Sequence, residues 1–187
     1  GVLIKNAEAL ERMEKVDTLV VDKTGTLTEG QPSVTAIVTA EGIEEAEALR
    51  LAAAVERPSE HPLARAIVTA AQDRNLDIPK VRGFDSPVGK GAYGLVDGKR
   101  VVLGSAGFLK ELGIETGALA GQADELRREG ATAIFVGIDG KAAAVVAIAD
   151  PVKATTPQAL KDLADEGIRV VMLTGDNRTT AEAVARR

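Results

Sequence analysis

At 187 residues, 45% hydrophobic and 27% charged with a net charge of −5, the chain is long enough for one sizeable core or two small ones and too apolar for disorder. Zero cysteines exclude thiol catalysis, zinc ribbons and disulfide frameworks, and a single histidine, His61, argues against a histidine-built metal site. The negative charge and 2% aromatic content count against a nucleic-acid surface, while the longest apolar run, Ala142 to Ala149, is far short of the roughly 20 residues that span a bilayer. With no basic-then-apolar leader at its start, the chain is expected neither to cross a membrane nor to carry a signal peptide.

In chain order, Asn6 to Val16 have helical character, with Ala9, Leu10 and Met13 on one face, and lead into Thr18-Leu19-Val20-Val21, an apolar run suited to a buried strand ending at Asp22. Alternation from Val34 to Ala40 predicts a second strand, and Glu44 to Val55 is a run of helix formers with Ala48, Leu51, Ala52 and Val55 on one face. Pro62 suits the first position of a further helix reaching about Arg74, where its missing N–H has no partner to lose. Asp97-Gly98 and Asp139-Gly140 lie between β-like segments, Tyr93 to Val96 with Arg100 to Leu103 and Ala133 to Ile138 with Lys141 to Ile148, and both predict tight hairpins. With helices over Ala106 to Leu112 and Ala118 to Glu129, the middle of the chain is an α+β unit on a largely antiparallel sheet. After Asp150-Pro151 come a helix from Thr156 to Glu166, a strand from Arg169 to Leu173 and a helix from Thr179. That is α/β order, so the strand ending at Asp22 is expected to pair with Arg169 to Leu173 in a parallel sheet, and the residues between become an insertion.

Asp22-Lys23-Thr24-Gly25-Thr26-Leu27-Thr28 puts a carboxylate at the carboxyl end of an apolar strand, ahead of a turn rich in N–H and hydroxyl donors, where open α/β sheets bind ligands. A carboxylate so placed can attack a phosphoryl group to form an acyl phosphate, with Lys23 and backbone N–H groups stabilising the added charge. An isolated Asp-x-x-Gly is by default an Asx turn. The whole heptapeptide, by average composition, arises about once in a billion positions. Taken alone, Ser59-Glu60-His61-Pro62-Leu63 reads as a helix start with Ser59 or His61 near the cap, and Glu56 as a solvated helix-end charge. Gly89-Lys90-Gly91 alone reads as a turn; it is no Walker loop, because its spacing from Gly83 is wrong and no Ser or Thr follows Lys90. Thr174-Gly175-Asp176, after the second apolar strand, is alone an ordinary turn.

The heptapeptide is the signature of the P-type ATPases, and the chain resembles that family, its heavy-metal-transporting members in particular, over its whole length. The resemblance implies that Asp22 accepts the γ-phosphate of ATP and that Thr174, Gly175 and Asp176 form a second phosphate-contacting motif, with the Thr174 hydroxyl on a phosphoryl oxygen. It makes Asp150-Pro151-Val152-Lys153 the hinge at which the chain returns from the nucleotide domain, with Asp150 counted among the nucleotide-site residues. Heavy-metal pumps carry a matching Ser-Glu-His-Pro whose histidine helps position adenine, which assigns His61; Glu56 matches the adenine-contacting glutamate. Gly89, Gly91 and Gly104 match glycines that let the backbone approach the nucleotide more closely than a side chain permits. Ser105 stands where many members have Asn. ATP and Mg2+ are the implied cofactors, with Asp22 and the Thr24 carbonyl supplying part of the ion's site.

The implied fold is a partial haloacid-dehalogenase-like parallel α/β phosphorylation domain, residues 1–32 and 150–187, with an inserted α+β nucleotide-binding domain, residues 33–149, on an antiparallel sheet. The family's remaining phosphorylation-domain lysine, its Gly-Asp-Gly-x-x-Asp magnesium motif, its membrane helices and its actuator domain are not among these residues. The chain therefore reads as a cytoplasmic portion of a membrane pump. ATP and the pump's actuator and transmembrane domains are its expected partners, nucleic acid is not, and the transported metal is bound elsewhere. The opening Gly1-Val2-Leu3-Ile4-Lys5-Asn6-Ala7-Glu8-Ala9-Leu10-Glu11 resembles copper-transporting members most. The alternative is a soluble haloacid-dehalogenase-type phosphohydrolase, and Thr24 discriminates. Such enzymes usually carry a second Asp two residues after the nucleophile as general acid and base, which a threonine cannot replace near neutral pH.

Overall fold

The computed structural model describes residues 6, 8, 11, 12 and 14–186; Ala9, Leu10 and Met13, on which the expected opening helix rests, lie outside the described residues. The elements run β1 (Thr18–Asp22), β2 (Ser33–Thr39), α1 (Glu45–Glu56), α2 (Pro62–Asp73), β3 (Arg82–Asp85), β4 (Gly91–Val96) and β5 (Lys99–Gly104). They continue with α3 (Ala106–Glu111), α4 (Leu119–Arg128), β6 (Thr132–Ile138), β7 (Lys141–Ala149), α5 (Thr156–Asp165), β8 (Arg169–Leu173) and α6 (Arg178–Ala185). The chain divides into two compact units, residues 1–30 with 151–175 and residues 31–150 with 176–187.

In the first unit β1 and β8 pair in parallel, from Thr18 opposite Arg169 to Asp22 opposite Leu173, as their order along the chain predicts. After Asp22 the backbone opens into a wide turn over Lys23–Leu27, with Thr24 extended and Gly25 at φ 75°, a value glycine adopts without penalty. Thr28, fully buried, closes this turn: its hydroxyl donates to Lys23 O at 3.1 Å and accepts from Gly25 N at 3.2 Å. The returning segment is stitched alongside, with Thr28 bridged to Val152, Glu29 N donating to Pro151 O at 2.8 Å and Lys153 N to Leu27 O at 3.0 Å.

The second unit is a six-stranded antiparallel sheet in the order β2-β7-β6-β5-β4-β3. The apolar run Val101-Val102-Leu103 is continuous because both faces of the sheet are covered. Val101 and Leu103 join α1 and α2 in one core with Ala92, Val96, Val136 and Val146, while Val102 joins Phe108 of α3, Leu119 and Ala123 of α4, Phe135 and Val145 in the other. Both Asp-Gly pairs form the expected hairpins, with Asp97 and Gly98 at φ 49° and 79° and Asp139 and Gly140 at 48° and 80°. The edge strand β3 is an addition to the sequence expectation, since Arg82-Gly83-Phe84-Asp85 is too short and mixed to show a period.

The last helix also differs in grouping. Sequence order puts residues 150–187 together, whereas residues 176–187 lie with the second unit. The physical reason is local: α6 packs on α4, and the fully buried Thr180 donates its hydroxyl to Ala131 O at 2.9 Å.

Candidate active site

In the first unit the parallel register brings Asp22 and the start of the Thr174-Gly175-Asp176 string to one end of the sheet. Asp22 is the last residue of β1, and its partner Leu173 is the last of β8, so Lys23 and Thr174 leave the same end of adjacent strands. Asp22 is exposed, Lys23 is buried and Thr174 is half-buried. The Lys153 ammonium donates to Gly25 O at 2.7 Å and the Thr156 hydroxyl to Leu27 O, also at 2.7 Å, so the chain after Asp22 is held from the returning segment. Lys153 enters the sequence reading only as part of the hinge string, and Thr156 only as a helix start; this clamp is visible in three dimensions alone.

Asp176 falls in the second unit, where its Oδ1 accepts from the Thr132 hydroxyl at 3.1 Å. Sequence reasoning missed Thr132, because a threonine opening a strand carries no local signal of a distant partner. Asp150 Oδ1 accepts from Gln31 N at 3.0 Å, tying together the segments that enter and leave the second unit.

The remaining candidates surround the α1–α2 connection and the open end of the β4–β5 ribbon. Glu56 ends α1 and is buried, 8% exposed, rather than the solvated charge its position suggests. Burial alone pushes its carboxyl up to about 7, since desolvation disfavours the charged form. His61 is the N-cap of α2: its Nδ1 accepts from Leu63 N at 3.2 Å, so Nδ1 is the unprotonated nitrogen and a ring proton belongs on Nε2. Gly89 sits at φ 73° in a turn closed by Lys90 N donating to Pro87 O. Gly91 and Gly104 are register partners in β4 and β5.

The N-terminal half of α1 is pinned to the ribbon's closed end, where Arg50 pairs with Asp97 at 2.9 Å and Lys99 with Glu47 at 2.9 Å. α1 packs on β4 and β5 and reaches β2 and β7 across the sheet. Both glycines also have a packing role: a Cβ on Gly91 would lie 2.0 Å from Leu103 O, and one on Gly104 2.6 Å from Lys90 O. Ser105 caps α3, accepting from Phe108 N at 3.2 Å.

For a divalent cation the donor set is short. No group of three or more His, Cys, Asp or Glu that could hold a metal occurs among the described residues. Asp22 and the Thr24 carbonyl, the ligands expected from the sequence, would supply two oxygens where magnesium takes six.

A family model of haloacid dehalogenase-like hydrolases matches residues 16–187. The chain is 58% identical over 187 residues to a silver-exporting P-type ATPase of Salmonella typhimurium, covering all of this chain and 23% of that protein. It is 55% identical over 185 residues to a copper-exporting P-type ATPase of Legionella pneumophila, covering 99% and 25%. Its fold is similar to that of a zinc-transporting PIB-type ATPase solved in its E2.Pi state, with TM-score 0.73 and 41% identity over 98% of this chain and 30% of that one. The chain spans about a quarter of the length of these curated relatives.

Proposed function

We propose that this chain, which belongs to the haloacid-dehalogenase-like hydrolases and, within them, to the heavy-metal-transporting P-type ATPases, binds ATP and supplies the aspartate that ATP phosphorylates in a metal-exporting pump. The observation that carries the reading is the register of Asp22 against Leu173, which sets the nucleophile beside the start of Thr174-Gly175-Asp176 at the carboxyl end of a parallel sheet. A carboxylate oxygen of Asp22 attacks the γ-phosphorus, a new P–O bond forms, the bond to the β–γ bridging oxygen breaks and ADP leaves with the electron pair. Lys23, the N–H groups of the following turn and the Thr174 hydroxyl are proposed to take up charge on the transferring phosphoryl oxygens. Asp22 and the Thr24 carbonyl would supply two oxygens to a magnesium ion carried in with ATP, which would neutralise phosphate charge.

Glu56 and His61 are proposed to receive the adenine, with Gly89, Gly91 and Gly104 lining its approach and Asp150 fixing the base of the unit. Thr24, in place of a second aspartate, leaves the acyl phosphate without a general base, which suits an intermediate that must outlast a conformational change better than a phosphohydrolase. The exported ion is proposed to be copper or silver, from the names of the relatives that match the whole chain. The test is to incubate the intact pump with γ-labelled ATP, quench in acid and treat with hydroxylamine, which cleaves acyl phosphates. Label that is hydroxylamine-sensitive and lost in Asp22→Asn is the expected result; label that persists in that variant overturns the assignment.

A further inference from the structure

The geometry points to Lys90 as a phosphate-recognising residue of the second unit, whose ammonium is held by Glu111 and passes to the phosphates of a nucleoside triphosphate when one binds. The inference rests on the functional reading above and adds to it a cation and a carboxylate that competes for that cation.

Lys90 lies between Gly89 and Gly91, two of the residues proposed to line the nucleotide's approach. Its backbone has a fixed place: Lys90 N donates to Pro87 O at 3.1 Å, Gly91 is paired with Gly104, and Gly91 O accepts from the Ser86 hydroxyl at 3.2 Å. Glu111 is the last residue of α3, the helix whose Phe108 ring lies against Gly91 and Gly104. From there its Oε2 accepts from the Lys90 ammonium at 2.5 Å. Turn and helix belong to the same compact unit, so the pair is complete within it. Both side chains are half exposed. An ion pair in that setting contributes little to stability, so exchanging its partner costs little. The charges favour the exchange. None of Glu56, His61, Gly89, Gly91 and Gly104 is a lysine or arginine, whereas the proposed ligand is a polyanion and the chain carries a net charge of −5. With adjacent Cα atoms about 3.8 Å apart, a ligand group that approaches the backbone of residues 89 and 91 comes within reach of the flexible four-carbon stem between them. Glu111 acts against binding twice, by occupying the ammonium and by repelling phosphate.

Two substitutions of opposite expected sign test this. Lys90→Met keeps the stem and removes the charge; Glu111→Gln keeps the shape of the acceptor and removes its charge. Calorimetric titration of this chain with a non-hydrolysable ATP analogue and, separately, with adenosine, both without magnesium, distinguishes phosphate recognition from recognition of the base and ribose. Lys90→Met should weaken binding of the analogue about fivefold and leave adenosine within about 1.5-fold. Glu111→Gln should tighten binding of the analogue about twofold, and that gain should largely vanish when Lys90→Met is also present. Analogue affinity unchanged in Lys90→Met, or adenosine weakened as much as the analogue, overturns the inference. So does weaker analogue binding in Glu111→Gln, because the pair would then be holding the turn rather than withholding the lysine. A wild-type chain that binds neither ligand sinks the functional reading, and the inference with it. Wild-type binding of both ligands with both variants indifferent sinks the inference alone.

Discussion

Gly91 and Gly104 stand opposite each other where β4 begins and β5 ends, and the Phe108 ring lies so close that a methyl group on either would come within 3 Å of its Cδ1. The pair is thus required by the fold, and this packing role is separable from the ligand role proposed for it. Gly104→Ala should destabilise the chain by about 1–3 kcal/mol through overpacking, and Gly91→Ala by at least as much, since its Cβ meets backbone at 2.0 Å. Gly89→Ala, with no atom within 4 Å of the added carbon, should lose only the roughly 1–2 kcal/mol that an alanine loses at φ 73°. Urea unfolding of the three variants checks the order; a Gly104→Ala chain as stable as wild type would refute the packing role.

Glu56 makes stability fall as pH rises. Its carboxyl is raised by burial from the ordinary 4.5 to about 7, so the folded chain binds that proton more tightly than the unfolded chain. The contribution is complete below about 4.5 and is lost as pH passes through 7, at an upper size of roughly 3 kcal/mol. Glu47 acts in a separate window: hydrogen bonds from Arg50 and Lys99 hold it at about 2, so what it adds is present above 4.5 and lost on acidification. Urea unfolding at pH 5 and pH 8 should show wild type losing stability that Glu56→Gln retains. Equal losses in both would show that Glu56 ionises freely in the fold.

His61 has two separable parts, a capping nitrogen and a ring. His61→Asn keeps a good helix-capping acceptor and removes the ring, so its melting temperature should match wild type while ATP affinity drops. His61→Ala should lose both, with about 1 kcal/mol of stability gone. Calorimetric titration with a non-hydrolysable ATP analogue gives the affinities, and an asparagine variant that binds as tightly as wild type removes His61 from the site.

Lys153 holds the turn after Asp22 through Gly25 O. Lys153→Met preserves the stem and deletes the donor, so hydrogen exchange at the amides of Gly25 to Thr28 should quicken about tenfold, with α4 and β6 unchanged. Exchange unaltered at that turn would mean that the Thr28 and Thr156 hydroxyls hold it without help.

What could be foretold from the chain alone was whatever depends on neighbours in sequence. The Asp-Gly hairpins follow from residues that tolerate positive φ, the start of α2 from Pro62, and the parallel pairing of β1 with β8 from the return to α/β order after Asp150. The heptapeptide from Asp22 to Thr28 names its own chemistry because a nucleophile, a cation and a donor-rich turn are contiguous. Tertiary structure decided everything that depends on residues far apart. Glu56 looks like a solvated charge at a helix end until α1 is packed on the sheet and buries it. Gly91 and Gly104 look like two unrelated turns until the ladder sets them face to face. Thr132 has no neighbour in sequence that hints at Asp176, and residues 176–187 follow β8 in the chain yet lie with the second unit, where α6 packs on α4 and the buried Thr180 hydroxyl donates to Ala131 O.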